Sequence, residues 1–242
     1  MENQQPFHRL QFSLRKIIEQ TPPGKKLPAE PLLAKTLGVS RATLREAMRD
    51  FESQGLILRR QGIGTFVVSH PHVIESGLEV LESIETLAGK IGLNVTMGDL
   101  QIDRIEAQKD LTPIFDLEMG TPLLRVRRTI LTESRPVAYL IDILPENILK
   151  HSDLEPGFTG SVLDLLLRRG SPMLAKSIAN IQAEAATSEV ARALQIQRGD
   201  VLLVFLARLF EAEGKVIDYS TSYFLPGYFQ FHVVRSLRRE NL

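Results

Sequence analysis

The stretch Leu27–Val68, LPAEPLLAKTLGVSRATLREAMRDFESQGLILRRQGIGTFVV, constrains the fold more than any other. Its turn residues, apolar spacing and arginines fit a small domain that presses one helix into DNA. Leu32, Leu33 and Leu37 predict a short helix with an apolar stripe, and Gly38 ends it where a left-handed backbone is wanted. Ser40 predicts the N-cap of a second helix, from Arg41 to about Gln54, because its hydroxyl can take an amide of the first turn. Leu44, Ala47, Met48 and Phe51 recur at helical spacing and are expected to face a core, while Arg41, Arg45 and Arg49 climb a different face in four-residue steps. Gly55 stops this helix. Leu56–Arg60 then reads as a strand, turned at Gln61-Gly62-Ile63-Gly64 into Thr65–Val68. Glycines at the tip allow positive φ and close approach to a phosphate, and Arg59, Arg60 and Thr65 offer charge and a hydroxyl there. Short helix, turn, arginine-bearing helix and hairpin together make a winged helix-turn-helix, whose second helix meets base edges in the major groove.

The segments LPAEP, LA, LGVSRATLREAM, QGLI and RRQGIGTFVV resemble the N-terminal pattern of the GntR family of bacterial transcription regulators. The resemblance implies that Arg41, Thr43 and Arg45 are recognition-helix positions and that Gln61, Gly62 and Thr65 belong to the wing; Ser40 and Arg49 complete the expected DNA-binding set. Two residues depart from the family pattern. Pro31 stands where a DNA-contacting arginine is common, and Ile63 stands where the wing tip often has lysine. Proline in a first helical turn costs little, since its missing amide would have had no partner.

Charge is unevenly split along the 242 residues. Residues 1 to 70 hold 11 Lys and Arg against 6 Asp and Glu, a net +5, which leaves −5 for the rest of a chain that is neutral as a whole. The basic part is where DNA is expected, with an affinity that falls as salt rises. A hydrophobic fraction of 43% over this length supports two cores, so two domains are expected: residues 1–70 for DNA, a linker over 71–77 and a second domain over 78–242. Cysteine is absent, which excludes disulfides, cysteine-ligated zinc and thiol catalysis, and fits a reducing cytoplasm. Neither a signal peptide nor an apolar run near membrane-spanning length is found, so no membrane association is expected. Among the five histidines only His70 and His72 lie close, across a proline, and no metal or cofactor is expected.

Outside the opening stretch, Leu10, Leu14, Ile17 and Ile18 predict an amphipathic helix over Phe7–Gln20. In the second domain Leu78, Leu81, Ile84, Leu87 and Ile91 predict a helix ending at Gly92, and Leu100–Ala107 a strand. Thr112–Leu117 reads as a short helix or turn. Leu123–Thr132 and Val137–Leu144 read as strands around the turn at residues 133–136, the latter ended by Pro145. Ser161 is expected to cap a helix over Val162–Arg169 that buries Leu163, Leu166 and Leu167. Ala175–Glu184 predicts a strand, Ser188–Leu194 a helix, Val201–Glu211 and Val216–Phe224 a strand pair, and Phe229–Arg235 a last strand. The segments RRTILTESRPVAY, SVLDLLLRRG and the last third of the chain resemble the UTRA effector-binding domain of the HutC subfamily. The fold class expected is therefore α+β: a winged helix-turn-helix followed by an α/β domain with a chorismate-lyase-like, mainly antiparallel sheet.

That second resemblance implies a small-molecule effector and its contacts. Arg128 falls at one of two arginine positions and Ile130 at the other; Leu140 replaces a glutamate that grips sugar hydroxyls, and Ser161, Asp218 and Phe224 fit a helix-opening serine, an acid and an aromatic. Apolar Ile130 and Leu140 cannot pair a charge or hydroxyl, and leaving such a group desolvated costs about 1–3 kcal/mol. An effector less polar than a sugar phosphate is expected, a carboxylate with an apolar body held by Arg128. The alternative is that Arg128 and Asp218 form a structural ion pair amid plain core. The function expected is a homodimeric, effector-responsive repressor, not an enzyme, on a palindromic operator of double-stranded DNA. An architectural DNA-binding dimer without effector, and a lyase-like enzyme, remain as alternatives.

Overall fold

Amphipathic spacing builds the first helices of the chain. The computed structural model describes residues 4–53, 56–60, 62–68, 74–90, 93–154 and 158–233. The chain divides into two units, one of Met1–Val73 with Leu225–Tyr228 and one of Ile74–Phe224 with Phe229–Leu242. In the first, α1 (Gln4–Gln20) begins earlier than expected and buries Leu10, Leu14 and Ile18. Helix α2 (Glu30–Leu37) starts on Pro31 in its first turn and ends at Gly38, whose φ of 67° and ψ of 30° let its N–H reach the Ala34 and Lys35 carbonyls. Helix α3 (Arg41–Ser53) follows after the tight turn. Strands β1 (Ile57–Arg60) and β2 (Gly64–Val67) pair antiparallel from Ile57 opposite Val67 to Arg60 opposite Gly64. Residues Lys25–Leu27 add a third edge to this wing, with Leu27 N–H donating to the Thr65 carbonyl at 2.8 Å. Leu14, Leu33, Leu44, Met48, Phe51 and Ile57 share one core.

Leu32 is exposed, against expectation, because neighbours in sequence lie about 100° apart on a helix and the buried side of this short one is taken by Leu33 and Ala34. Gln54, Gly55 and Gln61, expected at the helix end and the wing, lie outside the described residues.

The second unit is organised by one six-stranded sheet. Its strands are β4 (Val95–Glu106), β5 (Pro122–Thr132), β6 (Arg135–Pro145), β7 (Leu174–Ala185), β8 (Val201–Glu211) and β9 (Val216–Phe224), in the order β4-β5-β6-β9-β8-β7. Every neighbouring pair is antiparallel. Between β5 and β6 the chain reverses on Glu133 and Ser134 at φ 48° and 65°, the two left-handed residues a tight hairpin demands. Helices α4 (Ile84–Lys90), α5 (Thr112–Phe115), α6 (Val162–Arg169) and α7 (Ser188–Leu194) fill the connections. Leu124, Val126 and Leu144 from the sheet pack with Val162 and Leu166 of α6. A separate cluster holds Ala107, Leu111, Phe115 and Leu123.

Three expectations are corrected here. Strand β3 (Ile74–Gly77) occupies part of the expected linker, paired in parallel with β10 (Phe229–His232) from Ile74 opposite Phe229. The helix expected from Leu78 starts only at Ile84, because Ser83 caps it by accepting the Thr86 N–H at 2.9 Å; Leu78 and Leu81 stay exposed. Its expected end at Ile91 and Gly92 lies outside the described residues. Leu167 is exposed while Leu166 is buried, since an eight-residue helix has one inward stripe.

Candidate nucleic-acid interface and effector site

Helix α3 separates its two faces cleanly. Leu44, Ala47, Met48 and Phe51 are buried, and Arg41, Arg45 and Arg49 are exposed. Ser40 caps the helix as its sequence suggests: the Thr43 N–H donates to Ser40 Oγ at 3.1 Å, and the two hydroxyls lie 2.8 Å apart. Thr43 is half-buried beside this cap. Gly62 sits at the wing tip with φ 74°, within a turn closed by the Ile63 N–H on the Arg60 carbonyl at 3.0 Å. Thr65 does not face outward. Only 6% of it is exposed, because the alternation of β2 turns residues 65 and 67 inward and Phe66 out, which corrects its reading as a hydroxyl on the surface.

Two residues that sequence reasoning passed over tie this surface together. Glu30 holds Arg45 Nε at 2.7 Å through one carboxylate oxygen and the Arg59 guanidinium at 2.9 Å through the other, so helix α3 and the wing share one acid. Lys26 crosses Gly64 and donates from Nζ to the Ile63 carbonyl. A Cβ on Gly64, whose φ is 140°, would come within 2.0 Å of Lys26 Cε and push the end of the lysine aside. The wing tip thus has a cation although Ile63 itself supplies none. An open groove of about 790 Å³ runs between these parts, lined by Arg41, Arg45, Arg59, Arg60 and Lys26 among others. The signal for Glu30 lay in its place in the LPAEP segment; nothing in the spacing gave its two partners.

In the second unit the expected effector residues come from β5, β6, β9 and α6. Cross-strand register sets Arg128 opposite Leu140 and Leu140 opposite Ser222, while Asp142 stands opposite Ser220. Arg128, 5% exposed, pairs with Asp142, not with Asp218 as the structural alternative supposed. Asp142 is two residues from Leu140 and so returns to the face of Arg128, whereas Asp218 is a register step away. Asp218 is 7% exposed and its Oδ1 has no partner; Arg128 Nε is likewise unpaired. Burial lifts the Asp218 carboxyl well above the ordinary carboxylate range, Asp142 beside it adds to the rise, and Arg128 offsets only part of it. Glu85, on α4, is raised by burial too, against the pull of Arg128. Neither Asp142 nor Glu85 was foreseen.

Ser161 is buried and its oxygen accepts the Asp164 N–H at 3.0 Å as the cap of α6. Asp164 in turn accepts from Ser83 Oγ at 2.7 Å. Ile130 and Leu140 are buried, and Phe224 packs against Phe205 and Phe231 at ring-centre distances of 5.2 and 5.1 Å. The Arg128 guanidinium meets Asp142 through one terminal nitrogen, while its Nε is buried without a partner.

Comparisons with known proteins agree with both halves. Residues 12–67 match the bacterial regulatory proteins of the gntR family, and residues 90–230 match the UTRA domain. The HTH-type transcriptional regulator Rv0792c of Mycobacterium tuberculosis is 30% identical, the match covering 90% of this chain and 80% of that protein. The chain belongs to the GntR family, in its HutC subfamily. The HTH-type transcriptional repressor NagR of Bacillus subtilis is 26% identical over 83% of this chain and 81% of its own length. The histidine utilization repressor of Pseudomonas putida is 25% identical, with 81% and 77% covered. Among solved structures, PhnF of Mycobacterium smegmatis superposes with a TM-score of 0.65 over 95% of this chain and all of that one, at 19% identity, which speaks for the fold. This GntR-family chain is a DNA-binding transcription regulator with a UTRA effector-binding domain, and the α+β architecture of a winged helix-turn-helix and a mainly antiparallel sheet is that of the family. Among the described residues no helix is long and apolar enough to cross a membrane.

Proposed function

We propose that this regulator acts as a homodimeric repressor, each copy laying α3 in the major groove of one half of a palindromic operator. The observation that carries this reading is the outward row of Arg41, Arg45 and Arg49 above a fully buried apolar face. Arg41, Thr43 and Arg45, near the helix start, read base edges; Arg49 and Gly62 meet the phosphate backbone, and Gln61 joins the wing's contacts. Ser40 acts by capping α3. Glu30 fixes the fork of Arg45 before DNA arrives, and Lys26 supplies the wing-tip charge that Ile63 lacks.

Release comes from a small molecule less polar than a sugar phosphate, bound on the sheet around Arg128, Asp142 and Asp218, with Ile130, Leu140 and Phe224 as apolar surroundings. It weakens DNA binding only by as much as it prefers the DNA-free form. A buried arginine nitrogen and a buried carboxylate oxygen without partners favour this over a purely architectural second unit. No catalytic step is assigned to it.

Gel shifts on the DNA upstream of the protein's own gene test the proposal, repeated across salt and with Arg45→Ala. A bidentate base contact is worth about 1–3 kcal/mol, so the variant should lose roughly 5- to 150-fold in specific affinity. Unchanged binding by the variant would refute the placement of α3.

A further inference from the structure

Strand β7 is the outermost strand of the six-stranded sheet, with β8 on one side and no strand on the other among the described residues. An open edge of this kind carries a row of free N–H and C=O groups, and chains usually guard it with charge, a bulge or brevity. The opposite edge is guarded: β4 carries Asp99, Asp103, Arg104 and Glu106 and bends at a bulge between Met97 and Leu100. Strand β7 is not. It runs for 12 residues and its bulge lies at the very start, between Leu174 and Lys176. Its charges are Lys176 near one end and Glu184 near the other, and residues 178–183 between them are all exposed, with Ile178 and Ile181 showing 42% and 44% of their surface.

Which backbone groups are free follows from the ladder to β8. The Ala186 N–H donates to the Asp200 carbonyl at 2.8 Å, and the pairing runs in step from Ala185 opposite Val201 to Lys176 opposite Phe210. Antiparallel ladders alternate, so even-numbered residues from 176 to 184 turn their N–H and C=O toward β8, and the odd-numbered ones, Ser177 to Ala183, turn theirs to the open side. A second copy related by a two-fold axis at Asn180 satisfies those groups: Ala179 bonds with the partner's Ile181, and Ser177 with the partner's Ala183. The even residues then meet side chain to side chain, Asn180 with the partner's Asn180, Ile178 with the partner's Gln182 and Lys176 with the partner's Glu184. Opposite charges therefore face each other twice. Moving the axis by one residue either way sets Lys176 against the partner's Gln182 or the partner's Ala186, and an axis between residues sets free backbone groups against bonded ones. Both charged side chains are already held in place, Lys176 over the Phe210 ring and Glu184 by the Gln182 amide.

We infer that β7 is the surface through which two copies of this chain join, antiparallel and centred on Asn180, so that their sheets run on as one. This rests on the proposed homodimer and names its contact. The assembly stops at two, because each copy uses its unguarded edge in the contact and the outward edges are then the charged β4 strands.

The chain has no cysteine, so an introduced thiol reports on one position alone. Asn180→Cys sets two thiols on a non-hydrogen-bonded pair with Cα atoms about 4.5 Å apart, within disulfide reach. Gln182→Cys leaves its two thiols four residues out of step, roughly 13 Å apart along the strand and beyond that reach. Under mild oxidation the full chain with Asn180→Cys should run as a covalent dimer on a non-reducing gel, at a yield at least about five-fold above that of Gln182→Cys. In sedimentation, Lys176→Glu should weaken self-association by at least about three-fold, and Lys176→Glu combined with Glu184→Lys should restore it. No cross-link at Asn180, an equal one at Gln182, or a charge reversal that has no effect or is not rescued by the double exchange would overturn the inference. Sedimentation of the unaltered chain separates the two readings. A dimer without the Asn180 cross-link keeps the homodimer and removes β7 from it, whereas a chain that stays monomeric removes the homodimer itself.

Discussion

Replacing Asp218 by asparagine should stabilise the protein at neutral and alkaline pH, an unusual direction for a change in a core. The aspartate is 7% exposed, lacks a partner at Oδ1 and lies against Asp142, with Arg128 the compensating charge and Glu85 a further acid facing the same cation. Its carboxyl is raised well above its ordinary 3.8, so the folded state holds a proton that the unfolded state releases. Below pH 3.8 both states are protonated and the group is silent. As pH rises from there, only the unfolded chain gives up the proton, and stability falls until the folded-state value is passed. Each unit of that window costs about 1.4 kcal/mol. Asparagine keeps the shape, can donate to Asp142 and accept from the Ile143 amide, and removes the titration. A buried polar atom without a partner costs about 1–3 kcal/mol, so a gain of that order is expected at pH 8, or roughly 2–12 °C in the melting of a unit this size. Thermal melts of both proteins from pH 4.5 to 8.5 would show it. Glu85 contributes a slope of the same sign in both, so the difference between the curves isolates Asp218. A variant less stable at pH 8, or a difference independent of pH, would refute the reasoning.

Other outcomes follow from the first unit. Leu44→Ala removes a fully buried side chain from the core under α3 and should cost about 2–5 kcal/mol in urea unfolding, with DNA binding lost as the helix loosens. Gly64→Ala puts a Cβ at φ 140° into the path of Lys26 and should cost about 1–3 kcal/mol and displace the lysine from the wing tip; an unchanged denaturation midpoint would count against that packing. Glu30→Gln should alter stability by no more than about 1 kcal/mol, because Arg45 is 53% exposed and its ion pair is well screened, yet reduce operator specificity measured by competition with unrelated DNA.

Periodicity and punctuation settled the DNA-binding unit before any coordinates. Gly38, Ser40 and the spacing of Leu44, Ala47, Met48 and Phe51 dictate helix, turn and helix from local physics alone: a left-handed cap, a hydroxyl for an orphan amide, and one apolar stripe. The same holds for the hairpin at Glu133 and Ser134, the cap at Ser161 and the strand pair around Gly214. Local rules erred at Leu32 and Leu167, on brief helices with one inward stripe, and at Leu78 and Leu81, which precede the helix they were expected to join. What only the tertiary structure decided is which charges meet. Arg128 and Asp142 are brought together by antiparallel register, Glu30 joins Arg45 and Arg59 from three different elements, and Glu85 reaches the sheet from α4. Sequence spacing along one element says which side a residue faces; the ion partner across strands and helices depends on how separate elements pack.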